Sequence, residues 1–227
     1  MLSPEYIPTS DNTILIKFGD EISERLHHHV FSLTQHLIED PIEEIINISP
    51  GYNSVLVRLN NKTKIRLASE ILSKAVKRMS IKIDTKPRVL DIPVCYNSEY
   101  GPDQVRVMNH TGYSRSELVK RHSRGEYLVH FIGFSAGFPY IGGMDETLDT
   151  PRLSSPRKIV PPGSVGIAGK QTGIYPLPTP GGWNLIGRTP LSLFDVSHPD
   201  NGLIKMSDRV KFYSIDEQEF ERLNQHS

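Results

Sequence analysis

The hydrophobic pattern changes character midway along the chain. From residue 12 to residue 83, short alternating runs and 3.6-residue periods take turns, the pattern of strands interleaved with helices. Residues 12–18, NTILIKF, form a β-type run closed by Gly19. Ile22, Leu26, Val30, Leu33 and Leu37 then recur four, four, three and four residues apart, which predicts a helix with one apolar face. Asp20 or Ser23 can cap its start, and Pro41 stops it. Residues 43–48 and 53–59 read as two strands joined through Pro50 and Gly51. Ala68, Ile71, Leu72, Ala75, Val76 and Met79 mark a second helix, and a strand around 81–83 or 89–94 would close the unit. The order β-α-β-β-α-β is the ferredoxin-like pattern, here a small α/β domain over residues 1–85.

The segment 84–88 is polar, contains Pro87 and has no periodicity, so the domain boundary is expected there. Strand-like VLDIPVCY follows, then a capping box at Ser114 and Glu117 that opens a short helix through His122. EYLVHFIGF reads as a strong strand, and Val210 to Ile215 as the last one before a polar helix. Between them, residues 133–190 hold 11 of the 17 glycines and 9 of the 17 prolines, a density that alone would suit disorder. Phe134, Phe138, Tyr140, Ile159, Val165, Ile167, Tyr175, Trp183 and Ile186 are interleaved with them, which predicts packed short strands and shaped loops instead. Strands at short spacing with turn chemistry between them point to a β-barrel over residues 86–227.

Charge excludes several partners. Twenty-six basic residues balance 26 acidic ones at a pI of about 7.1, so no global field draws the chain to nucleic acid or anionic lipid. No 18-residue apolar run predicts a membrane span. The opening residues lack the basic and apolar regions of a signal peptide, and the lone Cys95 suits a reducing compartment, so a cytoplasmic location is expected.

Three motifs suggest chemistry and each lacks a necessary part. Gly133-Phe-Ser135-Ala-Gly137 matches the G-x-S-x-G nucleophile elbow, with Asp195 and His198 downstream. The elbow needs a helix directly after it, and Pro139 and Gly142-Gly143 forbid one. A phosphate loop, G-x-x-x-x-G-K-[ST], would need glycine where Ser164 stands and a hydroxyl where Gln171 stands. His27, His28 and His29 are consecutive, and side chains about 100° apart on a helix cannot converge on one metal. His29 falls on the apolar face, with His27 and His28 expected in solvent. No metal site is expected.

GFSAGFPYIGGMD from Gly133, PRLSSPR from Pro151 and PPGSVGIAGKQTGIYPLPTPGGWNLIGRTP from Pro161 together resemble the KipI / PxpB family, also called allophanate hydrolase subunit 1. The resemblance spans roughly residues 88–213, with Ala136 where the family usually has proline. It implies an α+β chain of two domains, the second a cyclophilin-like β-barrel. For function it implies one component of an ATP-dependent 5-oxoprolinase, working with PxpA-like and PxpC-like (KipA-like) subunits. ATP then belongs to the complex and is not bound by this chain alone. The same module is similar to part of the carboxyltransferase domain of urea carboxylase. A second implied role is that of a KipI-like inhibitor that binds a sensor histidine kinase and is counteracted by a KipA-like partner.

Within these motifs Arg152, Arg157 and Arg188 are candidates to bind a carboxylate substrate or an acidic partner patch, because a guanidinium pairs with carboxylates at two points. The competing expectation is that these cations, with Lys158 and Lys170, tie loops to backbone carbonyls or to Asp145, Glu146 and Asp149. Ser164, Gln171, Tyr175 and Trp183 complete the candidate set. Trp183, between Gly182 and Asn184, falls at a turn where a large ring is hard to bury, and it serves either as a barrel plug or as a contact residue.

Overall fold

The computed structural model describes residues 2–83 and 86–225. The chain divides into two compact units, Met1–Lys86 and Pro87–Ser227. Of the boundary segment expected at 84–88, residues 84 and 85 lie outside the described residues.

The first unit runs β1 (Glu5–Ser10), β2 (Thr13–Lys17), α1 (Glu24–Glu39), β3 (Ile45–Pro50), β4 (Ser54–Leu59) and α2 (Ile65–Arg78). Its sheet is antiparallel throughout, in the order β1-β2-β4-β3. Ile14 and Ile16 on β2, and Val55, Val57 and Leu59 on β4, alternate into a core closed by Leu26, Val30 and Leu33 of α1 and Leu72 of α2. This order corrects the β-α-β-β-α-β expectation. Residues 81–83 form no strand, and the strand over 89–94 belongs to the second unit. The reason is that the edge beside β2 is already paired by β1, so no edge is open there to a strand arriving after α2. β1 escapes the sequence pattern because Pro8 interrupts a mostly polar run, which an edge strand tolerates.

Ser23 caps α1, its hydroxyl accepting from the Leu26 amide, and Ile22 is left outside the helix and exposed. His27, expected in solvent, is fully buried and stacks on Phe31 at 6.1 Å. With Val30 and Thr34 it makes a second inward row at i, i+3 and i+7, so the buried face is wider than the apolar stripe.

The second unit runs β5 (Val89–Cys95), α3 (Gln104–Thr111), α4 (Arg115–Ser123), β6 (Glu126–Ile132), β7 (Pro139–Gly142), β8 (Arg157–Val160), β9 (Ser164–Ala168), β10 (Gln171–Ile174), β11 (Thr179–Gly181), β12 (Asn184–Arg188), β13 (Arg209–Ile215) and α5 (Glu217–Asn224). Seven strands close a barrel in the order β10-β7-β6-β13-β5-β12-β9, and β8 pairs with β11 as a separate ribbon. β13 and β5 pair in parallel along their whole length; the other barrel pairs are antiparallel. Ser114 caps α4 by accepting from the Glu117 amide. α3 is absent from the sequence expectations, its apolar positions being too few to set a period. Gly187 lets β12 approach β5, since a Cβ there would come within 2.7 Å of Val94.

Strand alternation sorts the core in two. Ile167 of β9 and Ile186 of β12 join the main cluster with Ile92, Val129, Ile141 and Ile174. Their neighbours Ala168 and Leu185 point to the opposite face of the wall, where they meet Phe138, Val160, Tyr175 and Trp183 in a second cluster.

In the main cluster lies a polar chain that no motif announces. His122, fully buried at the end of α4, has Nδ1 2.7 Å from the Tyr96 hydroxyl and Nε2 2.9 Å from Thr172 Oγ1. Thr172 donates to the Gly166 carbonyl at 3.2 Å. Its hydroxyl proton is thereby used, so Nε2 carries the hydrogen it gives to Thr172, and Nδ1 accepts from Tyr96. His122 stacks on Phe212 at 4.6 Å, and burial drives its pKa down to about 3. The ring is a neutral donor–acceptor link inside the barrel.

Candidate functional site

The second apolar cluster opens to the surface as a cleft of about 290 Å³, lined by Phe134, Phe138, Tyr140, Arg152, Trp183 and the Gly181-Gly182 turn among others. Its walls are rings set edge to face. Phe138 meets Tyr175 at 5.1 Å and Trp183 at 5.4 Å, and Tyr140 meets Trp183 at 6.1 Å. Such T-shaped pairs are favoured by ring quadrupoles and fix one another's orientation. Glycines make the tight packing possible. A Cβ on Gly173 would come within 3.0 Å of both Phe138 and Trp183, and one on Gly181 would overlap the Tyr175 hydroxyl. Burial pushes that hydroxyl's pKa up, against a hydrogen bond with the Trp183 backbone, so Tyr175 is neutral at physiological pH.

Arg152 stands at the rim, exposed, with its guanidinium carbon 6.0 Å from the Trp183 ring centroid. It is the charged residue among those lining the cleft. Phe134, also at the rim, holds φ at 65° with its ring 65% exposed and 5.6 Å from Phe138. Left-handed backbone costs an L-residue about 1–2 kcal/mol, and for a bulky side chain it is a genuine outlier. Phe134→Gly removes that cost along with one exposed ring contact worth about 0.5–1.5 kcal/mol. Its stability in urea is therefore expected within about 1 kcal/mol of wild type, whereas Phe138→Ala, truncating a ring 1% exposed, loses about 3–5 kcal/mol. Equal losses would mean that Phe134 is packed rather than displayed.

Of the candidate residues, the fold brings Arg152, Tyr175 and Trp183 to this cleft and leaves the others outside its lining. Trp183 is 6% exposed: the turn does not keep it out, because Gly173 yields space beside the indole and Gly166 beside its Cβ. Arg157 is engaged elsewhere, giving Nη2 to Asp103 Oδ1 at 2.7 Å while Asp103 Oδ2 accepts from the Leu185 amide at 2.7 Å. That bridge ties β8 to the start of α3 and to β12. Arg188 donates Nε to the Pro162 carbonyl at 2.8 Å. Ser164 is buried at the start of β9, and Gln171 is half-buried at the start of β10. Arg157 and Arg188 are thus held by a carboxylate and a backbone carbonyl, while Arg152 stands at the cleft.

Of the acids expected to tie the cations of this segment, Glu146 takes Lys170 and Asp145 serves arginines from outside it. Lys170 pairs with Glu146 at 2.9 Å. Asp145 accepts from the Thr147 hydroxyl and amide, the first causes of a pKa lowered to about 2, and pairs with Arg121 and Arg124 of the α4 region.

The elbow residues do not assemble a nucleophile. Ser135 lies in a turn, its hydroxyl oxygen buried without a hydrogen-bond partner among the described residues. His198 Nδ1 is 2.8 Å from Asp195 Oδ2 as an exposed pair. Among the described residues, no group of three or more His, Cys, Asp or Glu side chains could hold a metal, and no helix is long and apolar enough to cross a membrane.

The second unit is thus a closed seven-strand barrel that carries an aromatic cleft with one cation at its rim. The chain belongs to the family of the carboxyltransferase domain, subdomain C and D, whose family model matches residues 4–204, and within it to the KipI / PxpB group of 5-oxoprolinase components. It is 37% identical to the B subunit of 5-oxoprolinase from Bacillus subtilis, over 96% of this chain and 95% of that one. It is 39% identical to the B subunit of 5-oxoprolinase from Escherichia coli O157:H7, over 89% of this chain and 92% of that one. The crystal structure of TTHA0988 superposes with a TM-score of 0.78 at 31% identity, covering 90% of this chain and 40% of that longer one.

Proposed function

We propose that this chain is a non-autonomous, cytoplasmic subunit of an ATP-dependent 5-oxoprolinase, acting with PxpA-like and PxpC-like subunits. The observation that carries the reading is end-to-end similarity to two proteins named as the B subunit of 5-oxoprolinase. A structural relative in which this module is 40% of one chain fits a unit that works joined to more protein. The reaction opens the lactam of 5-oxoproline to L-glutamate. An amide carbonyl is a poor electrophile, so ATP is consumed to activate it. Transfer of the γ-phosphoryl group to the lactam oxygen expels ADP, one water adds to the activated carbon as the C–N bond breaks, and a second water releases phosphate. The finer architecture we assign is a cyclophilin-like barrel whose cleft faces the chemistry while partner subunits supply the nucleotide site.

Co-purification with the candidate subunits, followed by assay of glutamate and phosphate release from 5-oxoproline and ATP, tests this. The purified chain alone is expected to show no turnover, and the full assembly to release both products together. An assembly that works equally well without this chain, or one that is inert with every subunit present, overturns the reading.

A further inference from the structure

The cleft has a chemical bias of its own. Its lining is aromatic, aliphatic, proline and glycine except for Arg152, so the one formal charge it offers a ligand is positive. The other arginines of the surrounding loops are committed: Arg106 donates to Asn184 Oδ1, Arg157 to Asp103 and Arg188 to the Pro162 carbonyl. Arg152 lies instead over the Trp183 ring, its planar fork held at the mouth of an apolar slot. At about 290 Å³ the space falls at the lower bound of small-molecule sites, room for a compact acid. The edge-to-face rings fix one another's orientation, so little ordering is left for binding.

We propose that this cleft binds a small monoanionic carboxylic acid carrying a compact flat ring, with the carboxylate on the Arg152 guanidinium and the ring against the exposed Phe134 and the outer edge of Trp183. The neutral Tyr175 hydroxyl adds no opposing charge. The inference deepens the 5-oxoprolinase reading, and rests on it in taking 5-oxoproline as the first probe. In that assignment this chain holds the acid by its carboxylate end, leaving the lactam carbonyl free to meet groups brought by a partner subunit.

Trp183 is the only tryptophan in the chain, so its fluorescence reports on the cleft directly. The full chain is titrated with 5-oxoproline, with its neutral amide 5-oxoprolinamide, and with acetate, which has the charge without the ring. A saturable change with 5-oxoproline is expected, with at least tenfold weaker binding for the amide, for acetate, and for 5-oxoproline to Arg152→Ala. Arg152→Lys keeps a charge but not the fork and is expected between the two, while Lys77→Ala on the first unit is expected to bind like wild type. Circular dichroism checks that the exposed Arg152 variants are folded. No saturable response to 5-oxoproline, equal binding of acid and amide, or undiminished binding by Arg152→Ala overturns the assignment. Turnover by the assembled subunits separates the two readings. An assembly that turns over 5-oxoproline equally well with Arg152→Ala leaves the enzyme reading standing and removes the site. Arg152-dependent binding of the acid, with no assembly able to open it, removes the enzyme reading and keeps the site.

Discussion

Lowering the pH from 6.5 to 3 is expected to cost this protein about 4 kcal/mol through His122 alone. The ring is fully buried, and desolvation of the charged form lowers its pKa from an ordinary 6.5 to about 3. Above pH 6.5 the imidazole is neutral in both folded and unfolded chains, and the contribution is fully present. Below it the unfolded chain takes up a proton that the folded one refuses, so stability falls by about 1.4 kcal/mol per pH unit until the folded pKa is reached. That loss is a large fraction of a typical domain's stability of about 5–15 kcal/mol. His122→Gln cannot titrate, and its stability should respond less to acid, though its lost links to Tyr96 and Thr172 lower it at every pH. Urea unfolding of both proteins at pH 7, 5 and 4 makes the comparison. Parallel pH profiles, or a His122 resonance titrating near 6.5 by NMR, would show that the ring is hydrated. Thr172→Val offers an independent check, since it strips the acceptor from Nε2–H and is expected to cost about 1–3 kcal/mol without changing the slope.

Trp183→Ala is expected to lose about 3–5 kcal/mol of stability, as for other buried aromatic truncations. The indole is 6% exposed and packs on Phe138 and Tyr140, with Gly166 and Gly173 shaped around it. Its removal leaves a hole that the tightly paired rings cannot collapse into. Trp183→Phe keeps a ring and should lose clearly less. The alanine variant is therefore a poor probe of binding, because lost affinity would be confounded with unfolding, whereas Arg152→Ala touches a rim side chain and leaves the cluster alone. Thermal melts of Trp183→Ala, Trp183→Phe and Arg152→Ala rank the three. If Trp183→Ala melts with wild type, the indole is a displayed contact residue and not the plug of the second cluster.

The Phe134, Trp183 and Arg152 variants act on one site whose parts come from distant stretches of chain. Arg152 and Arg188 look alike in sequence, both cations of the 133–190 segment with a proline one or two residues away. What separates them is that Arg188 finds the Pro162 carbonyl within reach while Arg152 finds the face of an indole. No spacing rule encodes that difference. Arg157 was legible as a loop-tying cation, yet its partner Asp103 lies 54 residues away at the start of α3, outside any local pattern.

By itself the sequence determined the elements whose cause is local. The 3.6-residue periods of α1 and α2, the alternation in β2 and β4, and the Ser114 cap each follow from neighbours within a turn or two. Rings threaded through the Gly/Pro segment likewise announced packed structure, and the order of its motifs announced the family. Only the tertiary structure decided that β1 fills the sheet edge beside β2, that β13 returns about 120 residues later to pair in parallel with β5, and that His122 completes a hydrogen-bonded chain in the barrel. It alone decided which rings and which arginine share a cleft. Edge pairing, barrel closure and burial of a polar side chain depend on which distant surface arrives to satisfy a donor or exclude water, and local periodicity carries no record of that.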